Sequence, residues 1–213
     1  MIPVKRDFTR TEWAIIQSHR TPRQVQRFLS RMAYNREREA KTCRSFRSTI
    51  AHKSAHCLEA AITAAVIMEQ HGYPPLVVSL ESQDLLDHVL FLFEHKGRLG
   101  AVARSRDLAL HGRRPVFRRV RDLVMSYFDA YIDKTARLTG YAVADLRDLG
   151  NYDWRLSGRN VWKVERYLQE IEHRKIRTSE TRYRMWRNRY LDFRNQYPDR
   201  PPTYYPNRNL WML

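Results

Sequence analysis

Two side chains in this sequence can carry out covalent chemistry as partners: Cys57, within "SAHCLEAAITAAVIMEQHGY", and His88, which opens "HVLFLFEH". Cysteine attacks as the thiolate, so a nucleophilic cysteine needs its pKa lowered. The first turn of a helix does this through its unpaired N–H groups and dipole. With Ser54 read as the N-cap, Cys57 falls at the third helical position, inside that turn, with His56 beside it. The same N–H groups can hold the oxyanion formed when a carbonyl is attacked. A base must then take and return the proton, and a third group must orient the base.

His88 is the base candidate because of where it stands. The runs "HVLFLFEH" and "RLGAVARS" alternate as strands, and Lys96-Gly97 between them predicts a two-residue hairpin turn. That turn sets His95 opposite Arg98 and, counting back, His88 opposite Ser105. Ala103 and Asp107 then share the face, one on either side of Ser105. Asp107 is the carboxylate of this set and Ser105 the alternative orienting residue; a one-residue bulge would break the register. His52, His56, Cys57 and His88 also raise a zinc reading. A helix starting at Ser54, between His52 and His56, spoils the ligand spacing, so neither metal nor cofactor is implied. The bland alternative is that Cys57 is a small apolar residue in a buried helix.

These residues need elements to position them. "TPRQVQRFLSRMAYN" predicts a helix capped by Thr21, with Pro22 at its first position and Gln24 completing a capping box; Val25, Phe28, Leu29 and Met32 form its apolar stripe. The polar stretch 35–53 reads as loop with a short helical piece. The run from Ser54 to Gly72 is apolar almost all round, the mark of a central helix packed on several sides. "LVVSL", "HVLFLFEH" and "RLGAVARS" read as strands. "RRPVFRRVRDLVMSYFDAYID" reads as a helix from about Pro115, with Val116, Val120, Leu123, Val124, Tyr127, Phe128 and Tyr131 on one face. Helix, antiparallel strands and helix in that order define an α+β class. After Asp153, Val161, Val164, Leu168 and Ile171 form one heptad-like seam, and Tyr183, Trp186, Tyr190, Phe193 and Tyr197 another. A Pro- and aromatic-rich tail closes the chain. The organisation expected is a core over 1–150 and a basic helical extension over 151–213.

The totals bound the partners. The 213 residues are 43% hydrophobic, and 39 Lys+Arg against 23 Asp+Glu give a net charge of +16. Such a field favours acidic proteins or nucleic acid, and the arginines of "YRMWRNRYLDFRNQY" are the segment to carry that contact. Heptad spacing of its aromatics argues instead for an amphipathic helix with arginines outside. Two cysteines, Cys43 and Cys57, make no disulfide framework. The first residues contain no apolar signal core, and no apolar run has membrane-spanning length, so a cytoplasmic protein without membrane contact is expected.

The segments "AHCLEAA", "GYPPLVV", "DHVLFLFEHKGRLGAVARS" and "RPVFRRVRDLVMSYFDAY" together resemble the transglutaminase-like branch of the papain-like superfamily, in particular bacterial members without assigned substrates. The resemblance spans Arg23 to Asp133. It implies a papain-like core, a central helix against an antiparallel sheet. It also implies a cysteine hydrolase or acyltransferase acting through a thioester on a peptide, a protein or a small amide or acyl compound. Cys57 matches the nucleophile and His88 the base. Where the family pattern carries an aspartate, six residues after Gly97, this chain has Ala103. The rival expectation is a catalytically inactive papain-like scaffold whose basic surface binds an acidic protein, RNA or a ribonucleoprotein.

Overall fold

The structure is a computed structural model that describes residues 2–85, 87–205 and 208–213. Capping chemistry sets its first helices. In α1 (Arg10–Ser18) the Thr9 hydroxyl accepts from Glu12 N–H, and the Glu12 carboxylate accepts from Thr9 N–H at 2.7 Å. In α2 (Pro22–Arg31) Thr21 and Gln24 make the expected reciprocal pair, and Val25 and Leu29 are buried. After β1 (Ala33–Tyr34), the polar stretch holds one short helix, α3 (Phe46–His52). β2 (Ser54–Ala55) pairs in parallel with β1 and leads into α4 (Cys57–Glu69). Every residue of α4 from Leu58 to Glu69 is buried, as an apolar surface on all sides demands.

The strands β3 (Leu76–Ser82), β4 (His88–His95), β5 (Arg98–Val102), β6 (Arg113–Phe117), β7 (Leu138–Asp145) and β8 (Arg174–Lys175) form one antiparallel sheet in the order β6-β5-β4-β3-β7-β8. The fold is therefore mixed α+β. Along β4, Val89, Phe91 and Phe93 face the core built on α4, while Leu90 and Leu92 face a second core built on α5 (Val120–Tyr131). Burial on both faces explains why this strand is written as an unbroken apolar run.

Two expectations are corrected here. The helix read from Pro115 starts only at Val120, because residues 113–117 form the edge strand β6. Proline's missing N–H is tolerated at such an edge, and Val116, placed on the apolar helix face by sequence, lies on this strand 46% exposed. The strand β7, absent from the sequence reading, is the neighbour of β3 inside the sheet. The β4–β5 hairpin does turn at Lys96-Gly97, with φ of +50° and +69°. Its pairs run from His95↔Arg98 to Phe91↔Val102, the counted register. The ladder stops there because the Gln26 side chain takes both main-chain groups of Ala103, accepting from its N–H at 3.0 Å and donating to its carbonyl at 2.9 Å.

Residues after 150 join both cores. Val164 and Leu168 of α6 (Trp162–Glu170) pack into the α4 core; Tyr183 and Trp186 of α7 (Glu180–Gln196) pack into the α5 core. Arg155 makes a bidentate 2.7 Å pair with Glu69 in the last turn of α4. Tyr204 and Tyr205 of the tail stack on Trp186, with centroids 6.1 and 6.0 Å away, and the chain ends in α8 (Arg208–Trp211) and a bridge from Met212 to Arg113. Among the described residues no helix is long and apolar enough to cross a membrane.

Candidate active site

The start of α4 differs from the sequence reading. His56, not Ser54, is the N-cap: its Nδ1 accepts from Leu58 N–H at 3.2 Å, and Glu59 Oε2 accepts from His56 N–H at 3.0 Å. Cys57 is thus the first helical residue. It keeps the place in the first turn that the thiolate argument needs. Ser54 is pulled into β2, where its hydroxyl accepts from Arg44 Nη1 at 3.0 Å.

Glu59 is fully buried and serves as a clamp. Oε1 accepts from Thr42 Oγ1 at 2.6 Å and Arg44 N–H at 3.1 Å; Oε2 accepts from Asn35 Nδ2 at 3.0 Å as well as from His56. Burial raises its pKa, but the His56 charge and these donors outweigh that and hold it below the usual carboxylate range. One carboxylate therefore fixes both ends of the 35–42 loop against the start of the helix.

His88 sits at the first position of β4, 4% exposed. Its Nε2 donates to the Leu110 carbonyl at 3.0 Å, which leaves Nδ1 as the nitrogen available to Cys57. Leu110 ends a 3₁₀ turn, Leu108–Leu110, capped by Asp107, whose Oδ1 accepts from Ala109 N–H at 2.8 Å. The turn is braced from inside by Arg113, which has no exposed surface. Arg113 donates to the carbonyls of Ala109 at 2.8 Å and His111 at 2.6 Å, and its guanidinium lies between the rings of Tyr127 at 3.6 Å and Trp211 at 4.2 Å.

The structure brings Cys57, His56 and His88 together around one cavity of about 590 Å³, which Ser105 also lines. Asp107 is not among the residues lining that cavity. It stands behind the wall, capping the turn whose carbonyl holds His88, and Ser105 Oγ accepts from Asp107 N–H at 3.3 Å. Ala103 is fully buried, its main chain held by Gln26. The acceptor on the second nitrogen of His88 is thus a main-chain carbonyl, where sequence counting offered Asp107 or Ser105.

The electrostatics follow from this packing. Burial raises the Cys57 thiol, but hydrogen bonds from His56 and His88, reinforced by their charge, bring it down to about 5. In the other direction its Sγ reaches the Asp87 carbonyl at 3.9 Å. His56 is the mirror case: burial lowers it, while the Cys57 hydrogen bond and the charges of Cys57 and Glu59 raise it to about 9. Its Nδ1 faces two demands. Leu58 N–H needs the lone pair, and the thiolate needs a proton there. With Nε2 donating to the Thr42 carbonyl at 2.9 Å, the capped ring is the neutral form, and protonation exchanges the Leu58 bond for the thiolate. The direction is set by the two negative groups beside it. Two tyrosines also feel the thiolate: burial first, then Cys57, raises Tyr34 to about 12 and Tyr131 further.

No protein-family model matches this chain, and no curated protein matches it. The site thus stands on its own geometry. His56 was placed near the site by sequence, but its pairing with Glu59 at the helix start, Tyr34 and the Leu110 carbonyl lay beyond that reading. His56 and Glu59 carried a signal, the H-x-x-E spacing of a capping box; Tyr34 and the Leu110 carbonyl carried none.

Proposed function

We propose that the protein is a cysteine-dependent hydrolase or acyltransferase of amides or related acyl compounds, with the transglutaminase-like kind of chemistry its sequence segments resemble. The observation that carries this reading is the meeting of Cys57, at the first position of α4, with His56 and His88 around one open cavity, where the two imidazoles lower the thiol. Cys57 attacks the substrate carbonyl as thiolate, and the oxyanion lies against the first N–H groups of α4. His88 passes a proton to the leaving amine or alcohol, and a thioester forms. Water or a second nucleophile then attacks the thioester, losing its proton to His88, and the acyl product leaves with the Cys57 thiolate restored. His56 holds the thiolate form and stays tied by Nε2 to the Thr42 carbonyl and by its N–H to Glu59, so the mobile proton belongs to His88.

The test is direct. Activated-ester hydrolysis should show a burst of one acyl group per chain, recovered by mass spectrometry on the peptide holding Cys57. Cys57→Ser should remove both burst and label, and His88→Ala should slow turnover by about 10²- to 10⁴-fold, the range of a lost general base. Label on Cys43, or none anywhere, would end the proposal. A surface that binds RNA through α7 is not favoured, because its aromatics and several arginines are engaged within the chain: Arg182 pairs with Asp129 at 2.7 Å, and Arg189 lies over Trp186 and Tyr204 at 5.1 and 4.9 Å.

A further inference from the structure

Three cations line the cavity beside Cys57, and the segments that carry them are held by the same contacts that form the site. Tyr34 is the pivot. The Arg104 guanidinium lies over its ring at 5.5 Å and donates to the Met32 carbonyl at 3.2 Å, so the 104–106 segment is tied to the strand that begins the 35–42 loop. Arg36 and Lys41 ride on that loop, both of whose ends Glu59 clamps through Asn35 and Thr42. Arg106 comes two residues after Arg104 and is close enough to lower the Tyr34 hydroxyl against the effect of burial.

Arg36, Lys41 and Arg106 all line the cavity and are exposed, and among the described residues no salt bridge or side-chain hydrogen bond engages them. Glu37, on the same loop, is turned to Thr42 N–H at 2.6 Å. Asp84, Asp87, Asp133 and the half-buried Glu165 line the cavity as well, and the three aspartates each accept from their own neighbourhood: Asp84 from the hydroxyls of Ser82 and Thr135, Asp87 from Ser82 N–H, and Asp133 from the N–H groups of Thr135 and Ala136. Among the described residues none of these carboxylates forms a salt bridge with Arg36, Lys41 or Arg106, so the three exposed cations are open to a ligand.

We infer that the substrate is an anionic acyl compound whose negative group is held by Arg36, Lys41 and Arg106 while its carbonyl lies on Cys57. Planar guanidinium groups on two separate loops suit a carboxylate or phosphate oxygen set, and the ammonium adds a third charge without demanding a geometry. This inference rests on the reading of Cys57 as nucleophile.

The experiment uses two alkylating agents of nearly one size, iodoacetate and iodoacetamide, on the full chain. Cys57 modification is followed by mass spectrometry, with buried Cys43 as comparator. The triple variant Arg36→Gln/Lys41→Gln/Arg106→Gln changes only exposed side chains, so folding is preserved. Loss of three charges near the thiol should lower the iodoacetate-to-iodoacetamide rate ratio by about tenfold at low salt, and by less at high salt, with the iodoacetamide rate unchanged. If the ratio is the same in wild type and variant while iodoacetamide still reacts fast with Cys57, the anionic-substrate inference fails and the thiolate reading stands. A parallel fall of both rates would place the cations on the thiol itself and also overturn it. If neither reagent modifies Cys57 faster than a free thiol, both readings fall together.

Discussion

Replacing His56 by asparagine separates its two roles at the helix start. Asparagine is a good N-cap and can still accept from Leu58 N–H, but it brings no charge to the thiol. In the native chain the thiol falls from about 9 to about 5. That drop is worth on the order of 5 kcal/mol in favour of the thiolate, supplied by two imidazoles against the cost of burial. If they share the work evenly, His56→Asn leaves the thiol at about pH 7 or above, because the whole cost of burial remains, with a thiolate fraction at least about tenfold smaller at pH 6. Iodoacetamide alkylation of Cys57 followed across pH reads this out. The native rate should rise through about pH 5 and be flat above, whereas the variant should rise at least about two pH units later. Above its own midpoint the variant should react at least as fast, since a more basic thiolate is the better nucleophile. Removing His88 as well should carry the midpoint past that of a free thiol, because only burial remains. A native profile rising between about pH 8 and 9, like any solvent-exposed cysteine, would refute the reasoning.

The Glu59 clamp predicts a coupled loss. Glu59→Gln places an amide among the donors Thr42, Arg44, Asn35 and His56, and should cost about 2–4 kcal/mol in urea unfolding. It should also raise the alkylation midpoint of Cys57, because His56 loses a negative neighbour that favours its cation. The Glu59 carboxyl is depressed in the fold, so its contribution is full above the ordinary carboxylate pKa and lost as pH falls through the folded value; the native chain should therefore lose stability more steeply in acid than the variant. Arg155→Met strands the buried carboxylate of Glu69 and should cost about 3–5 kcal/mol by chemical denaturation, part of which Glu69→Gln in the same chain should restore.

The sequence showed most plainly what rests on repetition. The twelve-residue buried stretch of α4 from Leu58 to Glu69 and the His95↔Arg98 turn were legible because burial and turn geometry act on many residues at once. Features decided by a single competition were not. Ser54 is the better cap by residue type, yet the pairing of Ser54 and Ala55 with β1, together with Glu59 three residues after His56, moves the helix start by two residues. Strand β7 was hidden because its inward positions are filled partly by Gly140, Ala142 and Ala144, which leave little period-2 contrast. The strand β6 was read as helix because Val116, four residues before Val120, continues the apolar spacing of α5.

The same distinction bears on Ala103. A carboxylate at that position is a side-chain signal that any reader of the sequence can count, and its absence makes the histidine look unsupported. In the fold, the acceptor for His88 Nε2 is the Leu110 carbonyl, at 3.0 Å, and a carbonyl has no letter of its own. What the sequence does write is its scaffolding: Asp107 to cap the turn, Arg113 to brace it from below, and Tyr127 and Trp211 to hold Arg113. A neutral carbonyl fixes the ring orientation and tautomer as a carboxylate does, but stabilises the imidazolium less. On the other side of the thiol, His56, whose cation the charges of Cys57 and Glu59 favour, lowers Cys57 independently of His88.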